Sequence, residues 1–301
     1  MQSPHLKRVS RPSPTWTEQG AVKTIIEAYN NIKKRLSAAG IEDSVFEAKA
    51  IIRHITGLSN NEILTNYMNA LTEFQENNLT AILRQRELHY PLQYIIGQWG
   101  FYKYKFNVGV GVLIPRSDTE ALVEAAVEFL KDNNAPQVLD LCAGSGCIGI
   151  SIAKDYPDSA VVMVEKYDEA LGYIHQNIKL NEAYNTCVLQ GDIFDGAGNG
   201  CEYDLIVSNP PYIPSSEIDL MNEETKFEPE TALMAEDDGL VFYREIVKNY
   251  KDCLKTGGML AFEVGITGAD SVAEILKQNG FKDIKKIKDY NGINRVVTAI
   301  K

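Results

Sequence analysis

Positive charge is scarce in this chain of 301 residues, which carries 30 lysines and arginines against 41 aspartates and glutamates. Its formal net charge is −11. A protein that binds mainly by neutralising phosphates needs a basic face, so this balance argues against direct binding of nucleic acid, although a local patch can outweigh the mean. The length and the 45% hydrophobic content predict about two domains with sizeable cores.

Long apolar runs and paired cysteines are also missing. No run approaches the roughly 20 residues that span a bilayer, so we predict no membrane segment. The five cysteines are odd in number and include no Cys-x-x-Cys pair. This predicts no metal site and no disulfide, and it favours inert thiols in a reducing cytoplasm. Residues 1–17 lack acids and are interpreted as a disordered extension, with an organellar transit peptide as the alternative.

Helical periodicity then dominates residues 18–93. Apolar residues recur at three- and four-residue steps from Val22 onward, resume after Gly40, and a third helix is expected to end before Pro91. These apolar stripes predict a small all-α domain, and they do not indicate any catalytic or binding role. Residues 94–114 differ, because aromatic and β-branched residues alternate between glycines, which predicts a β-hairpin linking two domains.

Strands and helices alternate over the remainder of the chain, residues 115–301. Ser117 to Glu120 fits a capping box that opens the first helix. Alternation predicts an α/β domain whose mainly parallel sheet is covered by helices on both faces. The segments on either side of Asn291-Gly292 resemble a closing antiparallel pair. The predicted parallel strands are 137–141, 160–165, 186–190, 204–208 and 259–264.

A glycine-rich loop follows the strand 137–141. Gly144, Gly146 and Gly149 have the G-x-G-x-x-G spacing, and Glu165 ends the next strand at the distance expected of a ribose-binding acid. Either the pyrophosphate of a dinucleotide or the methionine part of S-adenosylmethionine would lie at the helix N-terminus. The loop alone therefore leaves a dehydrogenase, a methyltransferase and a structural turn open.

Asp140 favours the methyltransferase, because it ends the strand immediately before the loop. A carboxylate there can receive the ammonium group of the methionine part. It would be unfavourable beside a pyrophosphate.

The predicted strand 204–208 runs directly into Asn209-Pro210-Pro211-Tyr212. In open sheets, ligands bind beyond the carboxyl ends of the strands, where this segment and the glycine loop are both expected. The prolines fix the backbone and remove two amide donors, so the Pro210 carbonyl and the Asn209 side-chain oxygen can act as an acceptor pair. Such a pair can hold both hydrogens of a planar NH2 group, in an amide or an exocyclic base amine. For transfer of a methyl group to such a nitrogen, correct positioning of the NH2 group can supply much of the rate. Tyr212 can form a wall of the acceptor pocket.

With these residues, the sequence resembles the peptide chain release factor glutamine methyltransferases over about residues 18–301. NPPY alone occurs in several methyltransferase families, and the flanking blocks make the resemblance specific. The blocks are PLQYIIGQWGFY (91–102), VLIPRSDTE (112–120), DLCAGSGCIGISIA (140–153), LQGDIF (189–194), SNPPYIP (208–214), FEPETALMAEDDGLVFYREI (227–246) and GINRVV (292–297).

The resemblance implies a class I methyltransferase domain, with a Rossmann-like seven-stranded sheet and an antiparallel C-terminal hairpin, after the small all-α domain. The enzyme would use S-adenosyl-L-methionine and release S-adenosyl-L-homocysteine. Its substrate would be the glutamine of the Gly-Gly-Gln loop of release factors, and the helical domain would help to grip the factor. We expect a cytoplasmic monomer.

Carried onto matching positions, the resemblance also implies site residues. Asn209, Pro210 and Tyr212 would be catalytic, and the substrate would also contact Pro211, Arg116 and Glu120. Glu165 would take the ribose. The other expected cofactor contacts are Asp140, Cys142, Ala143, Gly144, Ser145, Gly146, Asp192, Ile193 and Asn209. Some relatives carry an aromatic residue in place of Ile193, so contact with adenine is weaker here or passes to Phe194.

The main alternative is a nucleic-acid N-methyltransferase, since an exocyclic amine of adenine or guanine satisfies the same acceptors. The acids that follow the NPPY segment make a poor flank for a phosphate backbone, unless they form only a solvated face. They are Glu217, Asp219, Glu223, Glu224, Glu228, Glu230, Glu236, Asp237 and Asp238. A dehydrogenase leaves NPPY without a role. A non-catalytic binding module would have lost the loop glycines or Asn209.

Overall fold

The computed structural model describes residues 24–236 and 238–301, apart from the side chains at positions 218 and 219. The expected extension at residues 1–17 and the start of the first helical stripe at Val22 lie outside these residues. The chain divides into two compact units, one ending at Leu88 and the other spanning His89–Lys301. The boundary expected from the sequence lies at residue 93.

Helices make up the regular structure of the first unit over its described residues, which agrees with the all-α prediction. They are α1 (Ile25–Ala38), α2 (Ser44–Thr56), α3 (Asn60–Asn66) and α4 (Glu73–Arg86). The predicted stripes are buried at Ile32, Leu36 and Ile52. The sequence did not reveal α3 because this helix has no buried residue and therefore no apolar stripe.

The second unit contains the sheet and its covering helices. Its helices are α5 (Leu92–Ile96), α6 (Glu120–Leu130), α7 (Cys147–Asp155), α8 (Asp168–Asn181), α9 (Val241–Tyr250) and α10 (Ala269–Gln278). Its strands are β1 (Gln98–Phe101), β2 (Tyr104–Asn107), β3 (Gln137–Leu141), β4 (Ala160–Glu165), β5 (Thr186–Gln190), β6 (Tyr203–Ser208), β7 (Ile213–Pro214), β8 (Met234–Ala235), β9 (Leu254–Glu263), β10 (Lys282–Lys288) and β11 (Asn294–Ile300).

Seven strands form one sheet in the order β10-β11-β9-β6-β3-β4-β5. Strands β5, β4, β3, β6 and β9 run parallel, and β11 is antiparallel to its neighbours β9 and β10. The predicted Rossmann-like sheet with an antiparallel C-terminal hairpin is confirmed. The chain proceeds from β3 outward to β5 and returns to β6 on the other side of β3, which creates a switch point between β3 and β6.

Alternate residues of the central strands pack into two cores, one on each face of the sheet. Val138 belongs to the core that contains Leu122 of α6, whereas Leu139 belongs to the core that contains Tyr243 of α9. Because both faces are buried, the strands are almost uniformly apolar, which is typical of parallel sheets. The polar residues that follow these strands lie at the sheet edge, where the site forms.

The expected capping box at Ser117–Glu120 is wrong. Ser117–Thr119 forms a 3-10 turn without a side-chain cap, and α6 begins at Glu120. The Glu120 carboxylate instead accepts a hydrogen bond at 2.8 Å from the backbone nitrogen of Tyr102, where the β1–β2 turn has a φ of 53°. Glu120 therefore stabilises the hairpin turn, and long-range contact overrides the local signal.

Candidate active site

A cleft of about 990 Å³, part of it open to solvent, lies beyond the carboxyl ends of β3 and β6. This is the switch point of the sheet, where open α/β sheets bind ligands. The cleft is lined by segments that follow β3, β4, β5 and β6, together with residues between 111 and 119 and between 229 and 232.

The loop from β3 to α7 bends through backbone conformations that favour glycine. Gly144 has a φ of 56°, and Gly146, the N-cap of α7, has a φ of 77°. A Cβ on Gly144 would meet no atom within 4 Å, so the loop leaves room on this side. Gly149 packs tightly: a Cβ there would lie 2.9 Å from Asp140 Oδ2, the oxygen that accepts a hydrogen bond at 2.8 Å from the Gly149 nitrogen.

A buried asparagine that the sequence analysis missed holds this loop from behind. Asn177 on α8 donates from Nδ2 to the carbonyl oxygens of Ser145 at 2.9 Å and Asn107 at 3.1 Å. Its Oδ1 accepts from the Asn107 nitrogen at 2.6 Å. The side chain thus joins the glycine loop to the end of the β-hairpin. Its sequence signal is weak, because an asparagine on a helix usually marks an exposed position.

Glu165 ends β4 and is 7% exposed. Its Oε2 accepts from the Gly144 nitrogen at 2.8 Å, and its Oε1 accepts from the nitrogens of Lys166 at 2.8 Å and Tyr167 at 3.0 Å. Burial raises the pKa of Glu165, and the three backbone donors oppose that rise because they favour the charged form. A carboxylate offers about four acceptor directions, so one remains for a ligand hydroxyl.

Asp192 and its neighbours form the wall that follows β5. Asp192 Oδ2 pairs with Lys166 Nζ at 2.8 Å, and Oδ1 accepts from the Phe194 nitrogen at 3.0 Å. Burial acts to raise the pKa of Asp192, but the bonds with Lys166 and Phe194 outweigh it and the pKa is lowered. Ile193 is buried, whereas Phe194 is 42% exposed and meets Phe242 edge-on with ring centroids 5.3 Å apart. Phe194 and Phe242 therefore supply aromatic surface to the cleft.

The segment Asn209-Pro210-Pro211-Tyr212 leaves β6 at the cleft. The backbone nitrogens of Tyr212 and Ile213 donate to the Leu233 oxygen at 3.2 and 2.9 Å, which ties the segment to the chain before β8. The Tyr212 ring lies against Gly265, where an added Cβ would come within 3.2 Å of it. Burial raises the pKa of Tyr212, so its phenol stays neutral at ordinary pH.

Asn209 is half-buried, and its side chain meets the buried polar residues Thr119 and Glu263. Its Nδ2 donates to Thr119 Oγ1 at 3.4 Å. Glu263, the last residue of β9, is 2% exposed beside them. Burial raises the pKa of Glu263 to about 7, although hydrogen bonding from Thr119 and Asn209 and the charge of Arg295 favour its ionised form. The sequence analysis missed Glu263, whose signal is an acid that ends an apolar strand.

Arg116 reaches the cleft beside an acid that the sequence analysis did not assign to the site. The Glu228 carboxylate is 4% exposed, pairs with the Arg116 guanidinium, and accepts from the Ile114 nitrogen at 2.9 Å. The EPETAL block contains Glu228, but nothing local in the sequence indicates that its partner lies 112 residues earlier.

The cleft brings most of the predicted site residues together. They are Arg116, Cys142, Ala143, Gly144, Ser145, Glu165, Asp192, Ile193, Asn209 and Pro211. Gly146, Pro210, Tyr212, Glu120 and Asp140 lie outside its lining. Asp140 is fully buried under the loop, and burial raises its pKa to about 7 against the opposing bond from Gly149. Its Oδ1 has no hydrogen-bond partner among the residues that the structure describes.

Nothing in the described residues favours a catalytic cysteine or a metal centre at this site. Cys142 and Cys147 line the cleft as free thiols, and burial raises the pKa of both, so neither is a thiolate at neutral pH. Over residues 24–236 and 238–301, no three His, Cys, Asp or Glu side chains are grouped as metal ligands would be. In the same ranges, every helix is too short or too polar to cross a bilayer.

Comparison with known proteins yields matches over both units. The model of the PrmC N-terminal domain matches residues 27–97, and that of the methyltransferase small domain matches residues 119–228. The chain is 34% identical to the release factor glutamine methyltransferase of Fusobacterium nucleatum, across 99% of this chain and 86% of that protein. It is 37% identical to the protein of the same name from Thermodesulfovibrio yellowstonii, across 84% and 91%.

Among solved structures, the hMettl16 catalytic domain in complex with the MAT2A 3'UTR hairpin 1 has a TM-score of 0.52. The match covers 79% of this chain and 84% of that chain, at 14% identity. At that identity the likeness shows a shared fold alone.

Proposed function

This chain belongs to the release factor glutamine methyltransferase family, and we propose that it methylates the glutamine side-chain amide in the Gly-Gly-Gln motif of peptide chain release factors. The methyl donor in this proposal is S-adenosyl-L-methionine, and the product is S-adenosyl-L-homocysteine. The observation that carries the proposal is that Asn209 and Glu165 line the same cleft. One cavity can therefore receive an amide at one end and a nucleoside at the other.

The residues present fit the donor. Glu165 has an acceptor direction left for a ribose hydroxyl, and Ala143, Gly144 and Ser145 line the cleft without bulky side chains. Asp192 and the aromatic ring of Phe194 suit the adenine edge and face. When bound, S-adenosyl-L-methionine supplies an electrophilic methyl group on a sulfonium cation, which the acidic lining of the cleft favours.

Asn209 and Pro210 act on the acceptor in this mechanism. The Asn209 Oδ1 and the Pro210 carbonyl oxygen accept the two hydrogens of the glutamine amide, which orients its nitrogen and increases its electron density. The nitrogen would take the methyl group as the carbon–sulfur bond of the donor breaks and S-adenosyl-L-homocysteine is left, and it would then lose one proton to solvent, so a dedicated general base is not required. Tyr212, whose phenol burial keeps neutral, packs against Gly265 and holds the end of the acceptor segment in place.

The helical unit has the role of a recognition domain in this proposal. Its support is the match of residues 27–97 to the PrmC N-terminal domain. Deleting residues 1–88 should reduce methylation of an intact release factor more than methylation of a short Gly-Gly-Gln peptide. Equal losses on both substrates would contradict the role.

The central experiment is methyl transfer from labelled S-adenosyl-L-methionine to a purified bacterial release factor. The matched control is the same factor with the glutamine of its Gly-Gly-Gln motif changed to alanine. We expect label on the first factor and none on the second. Label on both would place the methyl group on another residue, and label on neither would contradict the acceptor while leaving the family and fold intact.

A further inference from the structure

We propose that Glu263 is a positioning residue for methyl transfer: its buried carboxyl group holds the NH2 end of the Asn209 side chain, so that Asn209 Oδ1 faces the acceptor amide. The inference rests on the proposed function, in which Asn209 accepts a hydrogen from the substrate. Glu263 is outside the cleft lining and touches no reacting atom, so it acts through Asn209.

Strand register brings the two residues together. β6 and β9 are parallel neighbours, and Ser208 of β6 is paired with Phe262 of β9. Asn209 is the residue that follows β6, and Glu263 is the last residue of β9. The two therefore lie side by side at the carboxyl edge of the sheet, where neighbouring strands are about 4.8 Å apart. On its other side Glu263 is paired with Val296 of β11, so strand pairing fixes the face of the sheet on which its side chain lies.

An asparagine side chain has two orientations, and its neighbours decide which is adopted. Thr119 alone does not decide, because a hydroxyl can both donate and accept, and its bond from Asn209 Nδ2 is long at 3.4 Å. Hydrogen bonding from Thr119 and Asn209 and the charge of Arg295 favour the ionised form of Glu263. An ionised carboxyl group only accepts, so in that form Glu263 selects the orientation in which the NH2 group points inward. Asn209 Oδ1 is then presented on the opposite side, toward the cleft.

One oxygen of the Glu263 carboxyl group also needs a donor. Its Oε2 is buried and has no hydrogen-bond partner among the described residues, and an unsatisfied buried oxygen is costly. Arg295, the cation whose charge acts on Glu263, forms ion pairs with Asp118 at 3.1 Å and Asp289 at 3.3 Å. The side-chain NH2 group of Asn209 acts as a donor toward the Glu263 carboxyl group. It has a second hydrogen, besides the one on Thr119 Oγ1, that can be given to this oxygen.

The test combines Glu263→Met and Glu263→Gln with Asn209→Ala. Methionine has a similar length without an acceptor, whereas glutamine keeps one. Glu263→Met should lower kcat on the release factor on the order of 10- to 100-fold, without changing the dissociation constant of S-adenosyl-L-homocysteine, and Glu263→Gln should restore most of the rate. In the Asn209→Ala background, Glu263→Met should cause no further loss.

Asp204→Asn is the matched control, because Asp204 is an acid at the amino end of the neighbouring strand β6, bonded to the Gln137 nitrogen and to Lys255. It should leave kcat unchanged. Equal losses from Glu263→Met in both backgrounds would overturn the proposal, as would loss of product affinity in step with kcat, since either result describes a residue that acts independently of Asn209.

A second measurement does not depend on turnover. The side-chain NH2 signals of Asn209 in a ¹H–¹⁵N spectrum can be assigned by their absence in Asn209→Ala. They should shift in Glu263→Met and stay near their original position in Glu263→Gln. Unshifted signals in Glu263→Met would overturn the positioning role, whereas an inactive parent enzyme with the expected shifts would contradict only the proposed function.

Discussion

The buried carboxylate of Glu228 pairs with the guanidinium of Arg116 at the cleft, and it joins segments 112 residues apart. The same carboxylate accepts from the Ile114 nitrogen at 2.9 Å. One side chain therefore fixes both the backbone that leads into Arg116 and the direction of its charge. Arg116 is 39% exposed despite this pairing, so it remains accessible to a ligand.

Glu228→Ala should weaken substrate binding and lower stability together. Removing the carboxylate leaves the Ile114 nitrogen without its acceptor and releases Arg116, at a cost of about 1–3 kcal/mol in the free energy of unfolding. The check is the denaturation midpoint together with KM for the release factor. Glu223→Gln, which breaks an exposed pair with Lys226 in the same region, should change neither. Similar effects from both variants would contradict a specific role for Glu228.

Asn209→Ala should lower kcat on the order of 10²- to 10³-fold, the range found when a single positioned hydrogen-bonding group is removed. Binding of S-adenosyl-L-homocysteine, measured by calorimetry, should be nearly unchanged, because the lost contact is with the acceptor amide. Asn61→Ala on the surface of α3 serves as the control. Normal turnover in Asn209→Ala would rule out the proposed acceptor pair.

Glu165→Ala should reduce cofactor affinity about 10- to 100-fold, the equivalent of one hydrogen bond to a charged group. Part of the loss arises because the Gly144 nitrogen, which donates to Glu165 at 2.8 Å, loses its acceptor and the loop loosens. Titration with S-adenosyl-L-homocysteine measures the change. Glu202→Gln, at an exposed position, removes the same charge elsewhere. An unchanged dissociation constant in Glu165→Ala would argue against ribose binding by this residue.

Asp140→Asn should stabilise the cofactor-free protein increasingly as the pH rises. Burial raises the pKa of Asp140 to about 7 in the folded state. The folded protein therefore binds more protons than the unfolded chain between about pH 4 and pH 7, and its stability falls as the pH rises through that window. Asparagine keeps an acceptor for the Gly149 nitrogen and cannot ionise.

Calorimetric melting of both proteins from pH 5 to pH 8 measures this difference. The gap between the two midpoints should widen up to about pH 7 and then level off. Glu263, whose pKa is also raised to about 7, is present in both proteins, so its contribution cancels. A difference between the two melting midpoints that stays constant from pH 5 to pH 8 would contradict the raised pKa of Asp140.

Glu47→Ala should destabilise the helical unit by about 3–5 kcal/mol, because it leaves the charge of a fully buried arginine without this partner. Arg86 is 0% exposed and bonds to Glu47 through Nε and one terminal nitrogen, both at 2.8 Å. Glu87→Ala breaks the half-exposed pair with Arg35 and should cost at most about 1 kcal/mol. Circular dichroism during heating measures the loss of helix in the two variants. Equal losses of stability in the two variants would contradict a larger contribution from the buried ion pair.

Local signals in the sequence were sufficient for the order of the five parallel strands, the glycine loop and the NPPY segment. Each depends on a short pattern: apolar runs that fit strands, and glycines at positions with positive φ such as Gly144 and Gly146. The parallel sheet follows from the alternation of these elements, and the placement of loops at its carboxyl edge follows from the sheet. For the same reason Glu165 and Asn209 could be assigned to one cleft before any coordinates.

Only the tertiary structure decided which polar side chains support that cleft. Glu263 reaches Asn209 through the register of β6 with β9, and Glu228 reaches Arg116 across 112 residues. Glu120 was expected to cap its own helix and instead binds the turn at Tyr102. The hydrogen-bond partners of such side chains depend on burial and on which donor lies nearest in space. Neither can be read from the spacing of residues along the chain.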